Sequence, residues 1–218
     1  MLLERLCLMF VSIDSYVEFY ILNCMKLSNA LSASRIILAP LFLVIFFIPK
    51  WFGFGEKITV IVLIPLFIII QITDYLDGKV ARTTNTVTDF GKHFDPFCDA
   101  LANLTIMFCF MFEGFFSRTL YMVVLYREFG ITFLRMLAAQ HSFSIPAKMG
   151  GKVKTVFYIS ATGFSLFIKL LQTFSLASDK ILHLLRFINL GIYIIAILLS
   201  VVTFCDYLNE YRKRIAKK

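Results

Sequence analysis

The chain has little charge for its size. Only 17% of its 218 residues are Asp, Glu, Lys or Arg, while 59% are hydrophobic and mean hydropathy is +0.81. It has a single Trp but 25 Phe. A soluble domain of this length could not hide so much apolar surface, whereas a bilayer can. The five cysteines (Cys7, Cys24, Cys98, Cys109, Cys205) form no CxxC pair and no His/Cys metal spacing, which excludes a zinc site of the usual kind and leaves them as small apolar fillers. Internal repeats, low-complexity linkers and strand-like alternation are also missing. The last of these excludes a transmembrane barrel. The net charge of +8 does not point to nucleic acid, because the basic residues lie between long apolar runs; anionic headgroups and phosphorylated substrates are the expected partners.

Long apolar runs are abundant. They cover about 36–54, 58–72, 100–116, 119–139, 153–171 and 184–204, each close to the ~20 residues a bilayer crossing needs. An all-α polytopic membrane protein with six transmembrane helices is the expected fold class. Lys and Arg set its orientation. Lys79, Arg82, Lys92, Lys148, Lys152, Lys154 and the Arg212–Arg214 run fall on one side, and a smaller set including Lys50, Lys57, Lys169 and Arg186 falls on the other. The richer side should be cytoplasmic, with both termini there and an inner-membrane location. Residues 1–24 are apolar but interrupted by Glu4, Arg5, Asp14 and Glu18, and have no small-residue cleavage site. Two readings stand for them, an interfacial amphipathic helix or a stretch upstream of a natural start at Met25. Residues 25–210 then form the membrane domain and 211–218 a basic cytoplasmic tail that contacts membrane lipid.

The chemistry concentrates in one segment. Asp74-Tyr-Leu-Asp77-Gly78-Lys-Val-Ala81-Arg82 is followed, eight residues on, by Gly91-Lys-His-Phe-Asp95-Pro-Phe-Cys-Asp99. Asp74 and Asp77 are i, i+3 and Asp95 and Asp99 are i, i+4, so each pair shares a helix face. A short polar turn brings the pairs together. Four converging carboxylates repel one another unless cations neutralise them. Hard oxygen donors select Mg²⁺ or Mn²⁺, and four can hold two ions about 3.5–4 Å apart, an arrangement suited to phosphoryl chemistry. Gly78 and Ala81, small residues on the Asp face, let a nucleotide diphosphate approach the backbone, and Arg82 can neutralise a phosphate. Asp99, last in the cluster, is the candidate general base. His93 sits among these residues without a constellation of its own and reads as a loop histidine.

These residues match D-x2-D-G-x2-A-R-x8-G-x3-D-x3-D at every fixed position, and the chain resembles the CDP-alcohol phosphatidyltransferase family. The resemblance implies six transmembrane helices, a homodimer, and a cytoplasm-facing cavity in which Asp74, Asp77, Asp95 and Asp99 hold two metal ions. Asp99 would double as base, and Gly78, Arg82 and Thr88 would touch the CDP headgroup. The likeness extends to Asn29-Ala-Leu-Ser-Ala-Ser-Arg35, to Arg127-Glu128-Phe-Gly-Ile-Thr-Phe-Leu-Arg135 and to Gly151-Lys152-Val-Lys154-Thr155, which look like segments of the phosphatidylglycerophosphate synthase branch. It assigns Asn29 and Arg35 to CDP-diacylglycerol and implies glycerol 3-phosphate as acceptor. Two positions depart from that branch, Ala100 where a Lys is usual and Phe97 where a small residue often stands.

A phosphorylated acceptor requires a second anion site. Arg127, Arg135, Lys148, Lys152 and Lys154 are the candidates. Arg127 and Arg135 can also be read as a buried ion pair with Glu128, and the lysines as positive-inside bias. The same reaction with serine, an inositol phosphate or choline is the sister reading. A small transporter is the reading from another class, though its charges should lie near mid-span in several helices.

Overall fold

The computed structural model describes residues 27–53, 55–83, 89–140 and 149–216. Residues 1–24, with the two readings given for them, lie outside that set. Six helices follow one another: α1 (Leu27–Phe52), α2 (Glu56–Thr83), α3 (Asp89–Phe112), α4 (Arg118–Gln140), α5 (Met149–Thr173) and α6 (Asp179–Ile215). All but α4 contain a stretch long and apolar enough to cross a membrane. The chain is thus an all-α, multi-pass membrane protein, with α4 the most polar of its helices.

Element boundaries differ from the sequence expectation in three informative places. Helix α3 begins at Asp89 rather than near residue 100, because Asp95 and Asp99 lower hydropathy without breaking the helix. It ends at Phe112, before Phe115 and Phe116. Gly114 has φ +79 and turns the chain there, yet both rings stay buried. Helix α6 runs on to Ile215, so its last turn carries Arg212, Lys213 and Arg214 where the helix dipole favours cations.

Helix α1 packs against α2 and α3, α5 against α6 and α2, and α4 against α6 and α3. The main core joins Phe42, Phe46, Leu63, Ile70, Met107, Phe110, Ile168 and Tyr193. Phe46 and Phe110 meet edge to face at 5.6 Å, and Phe116 stacks on Tyr193 at 4.2 Å, geometries that add to simple burial. Ile37, Ile58 and Phe187 are at least 69% exposed, which in a bilayer is contact with acyl chains rather than water. A smaller cluster of Ile131, Leu134, Ala138 and Tyr207, with Phe204, Leu208 and Tyr211 against it, fastens α4 to α6. Gly130 permits that approach, since a Cβ there would stand 2.9 Å from the Phe204 ring.

Polar contacts mark the two ends of the bundle. At one end Glu113 accepts from Lys50 and Lys169, each at 3.0 Å, with Glu56 3.6 Å from Lys169. Burial alone would raise the Glu113 carboxyl, but Lys169 and Lys50 outweigh it and hold it below its ordinary value. The carboxylates of the sequence motif lie at the opposite end.

Candidate active site

The motif folds as two helix segments that face α1. Asp74 projects from the second half of α2, and Asp95 and Asp99 from the first half of α3. Arg35 of α1 is 1% exposed and lies between them. Its Nη1 donates to Asp74 Oδ1 at 2.5 Å and also to Asp99 Oδ1. One turn earlier, Ser32 Oγ donates to Asp95 Oδ1 at 2.7 Å. Asn103 Nδ2 donates to the Asp99 backbone carbonyl at 2.9 Å. The side chain of α1 that the sequence assigned to lipid substrate therefore bridges two of the carboxylates.

Asp77, Gly78, Ala81 and Arg82 fall on the last turns of α2, Asn29 on the first turn of α1 and Lys152 on the first turn of α5. Their side chains lie outside the described set, and Thr88 and Lys148 lie outside it altogether. Among the described residues no three His, Cys, Asp or Glu side chains converge closely enough to hold a metal ion. The donor chemistry still fits a hard divalent cation. Asp74, Asp95 and Asp99 offer carboxylate oxygens only, and the one cation described among them is shared by two.

A cavity of about 430 Å³ opens beside these residues. Asp74 from α2 and Asp99 from α3 line it, a carboxylate wall; Arg127, Glu128 and Arg135 from α4, Lys154 from α5 and Tyr207 from α6 also line it, a basic wall. Three of the five proposed acceptor-site cations thus meet in one place. Of the expected ion pair of Arg127 and Arg135 with Glu128, the structure has the Arg127 half, while Arg135 turns to Tyr207. Glu128 Oε1 accepts from Arg127 Nη1 at 2.9 Å and from Lys154 Nζ. Arg127 is further held by the Ser200 carbonyl at 3.0 Å and Thr203 Oγ1 at 2.7 Å. Arg135 donates to the Tyr207 hydroxyl at 3.3 Å, with its guanidinium carbon 5.6 Å from the same ring. The Lys154 ammonium lies 5.2 Å from the Tyr158 ring.

Sequence reasoning missed Ser32, Tyr158, Ser200, Thr203 and Tyr207. Ser32 was in plain view three residues before Arg35, one helical turn away. Tyr207 gave no signal, since it lies past the expected end of its span. Cys98 and Cys109 are buried and Cys205 is exposed.

An all-helical, multi-pass membrane protein with aspartates and buried or half-buried cations lining one cavity is the class that fold and site define. The family model for CDP-alcohol phosphatidyltransferase matches residues 25–202. The chain belongs to that family. It is 34% identical over 194 residues to the CDP-diacylglycerol–glycerol-3-phosphate 3-phosphatidyltransferase of Treponema pallidum (strain Nichols), covering 86% of this chain and 89% of the relative. The protein of the same name from Bacillus subtilis (strain 168) is 36% identical over 138 residues, covering 60% of this chain and 70% of the relative. That from Mycoplasma pneumoniae is 33% identical over 156 residues, 70% and 67% respectively.

Proposed function

We propose that the chain transfers the phosphatidyl group of CDP-diacylglycerol to sn-glycerol 3-phosphate, giving phosphatidylglycerophosphate and CMP. The observation that carries this reading is one cavity lined by carboxylates and cations together. Asp74 and Asp99 line it from α2 and α3, and Arg127, Arg135 and Lys154 from α4 and α5. The carboxylate wall suits a metal-bound diphosphate, and the basic wall suits the phosphate of an acceptor. Serine or choline would bring no phosphate to this cluster, in which Arg127 and Lys154 share the single carboxylate of Glu128 and half-buried Arg135 bonds a neutral hydroxyl. The relatives named for this reaction support the same acceptor.

Asp74, Asp77, Asp95 and Asp99 would hold Mg²⁺ or Mn²⁺, two ions in all, which when bound offset the negative charge of the diphosphate and make CMP a better leaving group. The residues of the chain do the rest. Gly78 and Ala81 leave room for the nucleotide, while Arg82, Thr88 and Asn29 contact it. Arg35 sits between Asp74 and Asp99 and is placed to move onto a phosphate oxygen of the lipid substrate. The basic wall, to which Lys148 and Lys152 would add charge, orients the acceptor so that its hydroxyl faces Asp99. Asp99 takes the hydroxyl proton as the oxygen bonds to the phosphorus that carries diacylglycerol. The bond from that phosphorus to the CMP oxygen breaks, and CMP leaves with the electron pair. Positive-inside bias supports a site facing the cytoplasm from the inner membrane, and the family resemblance supports a homodimer.

The test is an acceptor panel. Purified protein in mixed micelles receives CDP-diacylglycerol, Mg²⁺ or Mn²⁺ and one acceptor at a time. CMP release with glycerol 3-phosphate, abolished by EDTA and restored by either metal, is the expected result. Turnover with serine and none with glycerol 3-phosphate would overturn the proposal.

A further inference from the structure

Glu128 is an acid in a wall otherwise suited to anions. It is 9% exposed, and its Oε1 accepts from both Arg127 and Lys154. The two cations are not equivalent. Arg127 has each of its three donor nitrogens engaged, on the Ser200 carbonyl, Thr203 Oγ1 and Glu128. It is pinned to α6 and works as a strut. Lys154 is 8% exposed, and Glu128 is the one acceptor placed on it among the described residues. An ammonium has three donors, so Lys154 keeps capacity for an incoming oxygen. Among the described residues Arg135 is tethered by one hydrogen bond, to Tyr207, and it also borders the cavity.

The charges then count simply. Arg127, Arg135 and Lys154 contribute three positive charges and Glu128 one negative, a net of two for the basic wall, apart from Asp74 and Asp99, which line the same cavity. A phosphate monoester near neutral pH carries about two negative charges. We propose that Glu128 is the charge-setting and positioning residue of the basic wall. It holds Lys154 where the acceptor's phosphate will take it over, and it limits the wall to the charge that a dianionic monoester matches. Binding is thereby kept weak enough for a phosphorylated product to leave. This rests on the acceptor reading given above.

The experiment measures anion binding apart from turnover. Full-length protein in detergent is titrated with glycerol 3-phosphate and, separately, with inorganic phosphate. EDTA is present throughout, so that no divalent cation holds the anion. Glu128→Gln removes a carboxylate next to the bound phosphate. At an effective dielectric of about 20 such a charge is worth at least a decade in affinity, so Kd should fall roughly tenfold for both anions. Glu128→Asp keeps the charge and should stay within about twofold of the unaltered protein. In the turnover assay Glu128→Gln should lower KM for glycerol 3-phosphate and kcat together, a split that a merely structural role does not produce. An unchanged or weaker Kd in Glu128→Gln overturns the inference. Should that variant not fold, Glu128→Gln/Lys154→Gln is compared with Lys154→Gln alone. The double variant must bind phosphate more tightly, and equal binding overturns the inference. If glycerol 3-phosphate is not turned over while the Kd still tightens in Glu128→Gln, the acceptor assignment falls and the role of Glu128 stands.

Discussion

Replacing Arg127 and Arg135 separately by Met distinguishes a strut from a ligand. The two residues have the same charge, lie two helical turns apart on α4 and border the same cavity. Arg127 is 5% exposed and joins α4 to α6 through the Ser200 carbonyl and Thr203, while sharing Glu128 with Lys154. Removing one partner of a buried, hydrogen-bonded charge network costs about 3–5 kcal/mol, because the groups left behind stay dehydrated. In a chain of this length that corresponds to a fall in Tm on the order of 10 °C. Among the described residues Arg135 is held by one hydrogen bond of 3.3 Å and a ring contact at 5.6 Å, together about 1 kcal/mol of stability. Its larger effect should be on substrate. A charge-assisted hydrogen bond to phosphate is worth about 1.5–3 kcal/mol, so KM for glycerol 3-phosphate should rise roughly 10- to 100-fold while KM for CDP-diacylglycerol holds. Thermal unfolding in detergent and steady-state kinetics with each substrate varied measure both effects. If Arg127→Met unfolds at the unaltered temperature and raises only KM, the strut assignment is wrong. If Arg135→Met loses as much stability as Arg127→Met, its tether to Tyr207 is a structural bond and the ligand assignment is wrong.

Asp99→Asn should lower kcat by roughly 10²–10⁴-fold with helical content unchanged by circular dichroism, since the amide cannot accept the hydroxyl proton and Arg35 keeps Asp74; near-normal turnover would remove Asp99 from the base role. At the other end of the bundle, the Glu113 carboxyl is held below its ordinary value by Lys169 and Lys50, despite burial. A lowered folded value means the stabilisation is fully present above the ordinary carboxyl value and is lost as pH falls through the lowered one. Glu113→Gln should therefore destabilise the protein at neutral pH and flatten the acid side of its stability profile; an unchanged acid side would show that the Lys–Glu contacts add nothing to folding.

Periodic features were legible in the sequence. The aspartate pairs at i, i+3 and i, i+4 depend only on helical spacing, and the apolar runs locate helices because a bilayer demands about 20 residues each. Features that depend on which helices meet were not legible. The sequence allowed an ion pair of Glu128 with Arg127 and Arg135; Glu128 does take Arg127, but its second partner is Lys154 on α5 rather than Arg135. Nothing within α4 says that α5 will deliver an ammonium there. Arg35 reads as one basic residue near the start of a span, and only the packing of α1 on both α2 and α3 carries it between Asp74 and Asp99. Tyr207 was missed because hydropathy falls after residue 204 while the helix continues to Ile215.

The polar character of α4 follows from its position. A helix surrounded by lipid cannot keep Arg127, Glu128 and Arg135 near its middle without partners. Here one face of α4 meets α6, where a backbone carbonyl, a threonine and a tyrosine receive the arginines, and the Gly130–Phe204 contact brings the two helices close enough for those bonds to form. The bonds that stabilise the charges also fix their distance from Asp74 and Asp99, since α4 packs on α3 as well. A substitution that separates α4 from α6, even on the side away from the cavity, therefore moves the basic wall relative to the carboxylates. The spacing of the two walls is set by helix packing, with Gly130 and Phe204 as much a part of it as the charged groups.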